Sequence, residues 1–174
     1  MSHNKIEDLT VFTCIGGVVA CGGGIGISFS QTDADLPRAA DNSATFNVIT
    51  GTIPDRLTLF SMVGIWVAGQ DGTVIKNNKI AIPDNPNTDA PGDGIEIADV
   101  CCGDDGHFQT SINSIIVKND GRGSEFALVI FLDFDGGTGN TEGTLIRGNF
   151  GVNDINGVVN DVTNRSIMTL IEFP

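Results

Sequence analysis

Nowhere in this 174-residue chain does an apolar stripe of helical period persist beyond a single turn. Apolar residues come instead in short alternating runs, each closed off by Gly, Asp or Asn. That pattern predicts strands at Thr45–Gly51, Leu57–Val67, Thr73–Ile82, Gly94–Val100, Thr110–Lys118, Phe126–Phe134, Gly143–Asn149 and Arg165–Phe173. Residue usage agrees: Ile and Val number 34 against eight Leu, and β-branched side chains suit a pleated, half-buried surface. Asp outnumbers Glu 17 to 5, and with 23 Gly it supplies turns rather than helices. Many short strands joined by such loops predict an all-β protein, an antiparallel β-sandwich of jelly-roll or Greek-key type, with a β-trefoil as the alternative. The length fits one principal domain. Residues 1–30 read as a Gly/Cys-rich apolar N-terminal arm or first strands, and residues 31–174 as a single β-sandwich domain.

An internal repeat is visible. Ser61–Val67, Ser111–Val117 and Ser166–Ile171 each place a Ser before alternating apolar residues, and each follows another strand and a Gly/Asp/Asn-rich loop. Units of that size suggest a repeated Greek key or the lobes of a trefoil. The run Phe131-Leu132-Asp133-Phe134-Asp135-Gly136-Gly137 is an aromatic strand with glycine, and Ser114-Ile115-Ile116-Val117 is a Ser-Ile-x-Val segment. In these two features residues 44–173 resemble the βγ-crystallin Greek-key family. The resemblance implies paired Greek keys and a calcium-binding module. The family's calcium signature is not reproduced at Gln109–Ser114 or at Asn164–Thr169, so no ligand residue is carried over from it.

Charge excludes one class of partner. The formal net charge is −13, and only nine Lys and Arg are present, so nothing in the sequence offers the clustered cations that phosphate backbones require. No apolar run reaches the ~20 residues that a membrane-spanning helix needs. Leu9–Ala20 followed by Cys21 resembles an export signal, but Glu7 and Asp8 precede it where net positive charge is wanted. The expected location is extracellular or a particle surface, without a cleaved signal.

Four constellations bear on chemistry. Cys101-Cys102-Gly103-Asp104-Asp105-Gly106-His107 matches no zinc spacing, and adjacent cysteines on a strand point to opposite faces. Cys14, Cys21, Cys101 and Cys102 are instead candidates for disulfides or cross-links to other copies, since a vicinal pair closes on itself only with strain. Asp133 and Asp135 in a DxDG turn, with Asp104 and Asp105, are candidate ligands for a hard cation such as calcium, although the twelfth position, Thr144, is not the Glu an EF-hand needs. A solvated hairpin is the competing reading of that turn. Trp66, the sole Trp in a chain without Tyr, is the candidate ligand residue for a carbohydrate. There is no Gly-x-Ser-x-Gly elbow and no phosphate loop, and neither His sits in a base motif, so no catalytic residue is assigned and an enzyme is not expected. The sequence therefore points to a non-catalytic, acidic, self-assembling coat, fibre or capsid-type subunit, possible disulfide pins included, whose partner is itself. It needs no cofactor on this reading. A calcium-binding crystallin-like module and a carbohydrate-binding module are the alternatives, calcium being the one cofactor either would bring.

Overall fold

The computed structural model describes residues 2, 4–9, 24–31, 33–51, 62–84, 92–100, 108–130, 142–155, 158–161 and 170–172. They form strands and connections, with no helix among the described residues. The longest sheet contains β2 (Ile25–Ser30), β6 (Met62–Ala68), β10 (Gly92–Ala98), β12 (Phe126–Ile130) and β14 (Val152–Ile155), all mutually parallel. A second parallel sheet contains β4 (Ser43–Thr45), β8 (Val74–Lys76), β11 (Ile115–Val117) and β13 (Leu145–Arg147). A short parallel pair joins β3 (Ala39–Ala40) to β7 (Gln70–Asp71), and the third sheet contains β1 (Lys5–Leu9), β5 (Val48–Gly51) and β9 (Lys79–Ala81). Isolated bridges from Lys79 to Asp120 and from Asp120 to Phe150 extend its direction through the next two turns of chain.

The path of the chain explains why the strands are parallel. From β6 it passes to β8 in the second sheet, to β9 in the third, then back to β10 beside β6. Each circuit of three sides is one coil, and equivalent sides stack in register. The architecture is a parallel β-solenoid. Antiparallel pairs occur at the C-terminal end, where β15 (Val158–Asp161) runs against β14 and β16 (Leu170–Glu172) against β13.

This corrects the expected antiparallel sandwich, jelly roll, Greek key and trefoil alike. Parallel neighbours need a long crossover. A helix is its commonest form, but here the other two sides of the coil provide it. The Ser-led repeat also fails as a structural unit, because Ser61–Val67 leads into the first sheet whereas Ser111–Val117 contains a strand of the second. The strand expected over Thr73–Ile82 is two strands, β8 and β9, with a corner at Asn77-Asn78. Of the expected N-terminal arm, β1 and β2 are rungs of sheets, and residues 10–23 lie outside the described residues.

Inside the coils, like side chains stack on like. Ala44, Ile75, Ile116 and Ile146 occupy one register position of the second sheet and are each at most 2% exposed. Ile27, Ile65, Ile95 and Leu128 form a second such row in the first sheet, equally enclosed. Opposite sheets lie close: a Cβ on Gly64 of β6 would come within 2.5 Å of the Ile80 side chain on β9, so the sheets meet at this distance only with glycine there.

One corner is built from a polar ladder. Asn47, Asn78, Asn119 and Asn149 are each buried to 3% exposure or less and directly follow β4, β8, β11 and β13 plus one residue. The backbone N–H and Nδ2 of Asn47 both donate to Oδ1 of Asn78, at 2.9 Å each. Asn78 donates in the same way to Asn119, and Asn119 to Asn149, at 2.9 to 3.0 Å. Asn4 begins the series by donating to Asn47. The second Nδ2 proton is used too, going from Asn78 to Ala44 O, from Asn119 to Ile75 O and from Asn149 to Ile116 O. For Asn78 and Asn119 every donor and acceptor of the amide is thus satisfied.

The residue before each of these asparagines is left-handed: Phe46, Asn77, Lys118 and Gly148 have φ between 55° and 63°. A non-glycine residue held there costs about 1–2 kcal/mol, so the corner is strained in three coils out of four and the ladder opposes that strain. A second stacked corner has Asp41, Gly72, Asn113 and Gly143 at φ of 53° to 68°. There Gly143 is required twice over, by its φ and because a Cβ would lie 2.1 Å from the Asn113 side-chain oxygen.

Replacing Asn119 by Ala removes the acceptor used twice by Asn78 and the side-chain donor to Asn149 Oδ1, leaving only the backbone N–H of residue 119 on that oxygen. The expected loss is about 2–4 kcal/mol, read as a lower urea midpoint at unchanged slope. Replacing the exposed corner residue Lys118 by Ala should change the midpoint far less. Equal effects at the two positions would show that the ladder does not hold the corner.

Candidate functional site

The outer face of the second sheet carries two rows of side chains. Ser43, Val74, Ile115 and Leu145 share one register position, and Thr45, Lys76, Val117 and Arg147 the next outward one. Between them the inward row of Ala44, Ile75, Ile116 and Ile146 anchors the sheet to the core. Period-two alternation therefore leaves an apolar row beside a partly basic one, both in solvent. Lys118, held left-handed at the adjoining corner, adds a third cation.

These residues enclose a shallow groove of about 440 Å³, lined by Lys76, Lys118 and Arg147 together with Ile115, Val117 and Leu145. Ile115 is 38% exposed and the three cations are exposed. Among the described residues no acid is in the lining, on a chain whose formal charge is −13, and the backbone of Glu172 is in register with Leu145. Three of nine cations have thus been gathered onto one small face. Their positive potential is local, and the long aliphatic stems of Lys and Arg enlarge the apolar surface beside them.

Acids stand at and beyond the second corner. At the second corner Asp41 and Glu142 are exposed, and Asp71 lies between them, accepting a hydrogen bond from Asn113 Nδ2 at 2.8 Å. The left-handed residues Gly72 and Gly143 separate Asp71 and Glu142 from the strands of the second sheet, and Asp71 pairs with Ala40 in a sheet of its own.

Trp66 lies elsewhere, on the first sheet. Its in-register neighbours are Ser28 on β2 and Glu96 on β10, with Val129 of β12 beyond. The indole is half-buried against Ala34, Ala68 and Val100, and its Nε1 is buried with no hydrogen-bond partner among the described residues. A clamp of side-chain amides fixes the loop that covers it: Gln109 Nε2 donates to Ala34 O at 3.0 Å and to Leu36 O at 2.8 Å, while Gln31 donates to Gln109 Oε1 and Gly69 O. The ring packs against the loop that carries Ala34. Burial beside it pushes the Glu96 carboxyl up to about 7.

The remaining residues singled out by sequence, Cys14, Cys21, Cys101, Cys102, Asp104, Asp105, Asp133 and Asp135, lie outside the described residues. Among the described residues no group of His, Cys, Asp and Glu is arranged to hold a metal ion, and no helix is long and apolar enough to cross a membrane. Sequence reasoning did not find Lys76, Lys118 and Arg147, which stand far apart in the chain and meet only through stacking. It did not find Glu96 either, although the Ile95-Glu96-Ile97 alternation placed that carboxylate on a strand. No family model, curated protein or solved structure matches this chain.

Glu96 makes stability depend on pH in a definite direction. Its folded value of about 7 exceeds the usual 4.5, so between those values the folded chain holds a proton that the unfolded chain has released. The contribution is therefore most favourable at and below pH 4.5, declines as pH rises towards 7 and is flat above. The full difference is up to about 3 kcal/mol. Glu96→Gln should be more stable than the unaltered chain at pH 8, with the gap closing near pH 4.5. Paired urea titrations across that range measure it, and a gap independent of pH would assign the effect to packing.

Proposed function

We propose that the protein is a non-catalytic structural subunit that works by associating with further copies of itself. The observation carrying this reading is the groove on the outer face of the second sheet, where exposed Ile115 sits with Val117 and Leu145 among three cations. Parallel sheets ordinarily have both faces covered, and an apolar row facing water on a regular, rigid surface favours association. The groove offers two lysines, an arginine and aliphatic side chains. Among the described residues its lining holds no carboxylate, imidazole, hydroxyl or thiol side chain to act as general base or nucleophile. A polyanion such as nucleic acid is disfavoured as its occupant, because the net charge of −13 repels it at long range.

Stacked coils held by side-chain amides suit a building block, since the surface they present is repetitive and stiff. The four cysteines belong to the same proposal as optional cross-links that would pin an assembly once formed. Light scattering on purified protein, with and without reductant and with and without chelator, tests it. The expected result is a mass above that of the monomer which rises with protein concentration. Collapse of that mass by reductant would assign a pinning role to the cysteines, and collapse by chelator would shift attention to a structural cation. A monomer at every concentration would remove the proposal.

A further inference from the structure

We infer that the groove on the second sheet binds a small amphipathic anion, a carboxylate on an aliphatic body, and that this occupant competes with association of the chain through the same face. The groove alone carries the binding site, while the control of assembly rests on the self-association reading.

Val117 is the centre of the charged end. Lys76 on β8 and Arg147 on β13 are its in-register neighbours, one coil away on either side and so each about 4.8 Å from it along the stack. Lys118 follows it at the corner, where a left-handed φ of 57° ends the strand. Three exposed cations thus stand on three sides of one valine. The fourth side is apolar. Ile115, two residues back on β11 and on the same face, lies about 7 Å away, and Leu145 is its neighbour on β13. A ligand charged at one end and aliphatic at the other matches this order along the strand.

The volume of about 440 Å³ suits a small ligand, whose sites are mostly apolar with a few placed polar groups. Arg147 offers paired N–H donors that fit a carboxylate in bidentate fashion, and the lysines act as point charges. The backbone of Glu172 is in register with Leu145, at the apolar end, whereas Leu170 is in register with Arg147 at the charged end. A polyanion brings many charges towards a chain of formal charge −13, but a monoanion brings one, and acids more than about 8 Å away are largely screened from it.

Titration with butyrate, hexanoate, octanoate and decanoate, followed by backbone amide NMR shifts in dilute protein, tests the site. The largest shifts should fall on β8, β11, β13 and Lys118. Each added methylene should tighten binding by up to about fourfold until the tail passes Ile115. Octanol, of equal length and no charge, should bind more weakly than octanoate. Lys76→Gln, Lys118→Gln and Arg147→Gln should each weaken octanoate binding about two- to fivefold, and Ile115→Ser should flatten the chain-length series. All four positions are exposed, and the amide spectra check that each variant is folded. Shifts that fall elsewhere, octanol as tight as octanoate, or charge variants that bind unchanged would overturn the site. Light scattering at higher protein concentration reads the control: the assembled mass should fall towards that of the monomer as octanoate saturates the groove. An assembly indifferent to saturating octanoate overturns the control and leaves both the site and assembly standing. A chain monomeric at every concentration overturns the control together with the assembly reading, and the NMR titration still supports or overturns the site.

Discussion

The fold depends on a line of hydrogen bonds between identical side chains. An amide can donate twice and accept twice, and at Asn78 and Asn119 all four bonds are made within a buried corner. Because each Oδ1 accepts from the preceding coil, the position of one coil fixes that of the next. The spacing that results is the spacing of parallel strands, so the ladder and the three sheets impose the same repeat. The aliphatic rows of Ile75, Ile116 and Ile146 follow as a consequence of that register. An unpaired amide in that corner is worse than an apolar one, which makes the series all-or-nothing.

The strain sits where the ladder can oppose it. Phe46, Asn77 and Lys118 occupy a left-handed conformation that glycine fills in the last coil, at Gly148. The left-handed residue turns the chain sharply enough for the next side chain to point inward. Exposed side chains at these corner positions are then free to vary, and Lys118 uses that freedom to add charge to the outer face.

Part of the strand content was legible, because alternation at Gly94–Val100 and over the described part of Phe126–Phe134 is a local property that a strand of either orientation satisfies, whereas Thr45–Gly51, like Thr73–Ile82, spans a corner between two sheets. Orientation is not local. Whether β6 meets its neighbour parallel or antiparallel is decided by what intervenes, and nothing in Met62–Ala68 records it. The ladder left a trace in the form of a small or branched apolar residue three positions before an Asn, at Ala44/Asn47, Ile75/Asn78, Ile116/Asn119 and Ile146/Asn149. Its period was hidden because the loops differ, the rungs standing 31, 41 and 30 residues apart. The Ser-led segments were more regular to the eye and marked no equivalent position. The basic face was illegible for the same reason as the ladder: Lys76, Lys118 and Arg147 become neighbours only once the coils are stacked.

The antiparallel strands at the C-terminal end have a directional consequence. By running against β13 and β14, β16 and β15 occupy the edges on which another parallel coil would have been laid. A solenoid closed in that manner cannot lengthen at that end by continuing its own pattern. A molecule meeting that end would find an antiparallel edge instead of the parallel pattern that joins the coils.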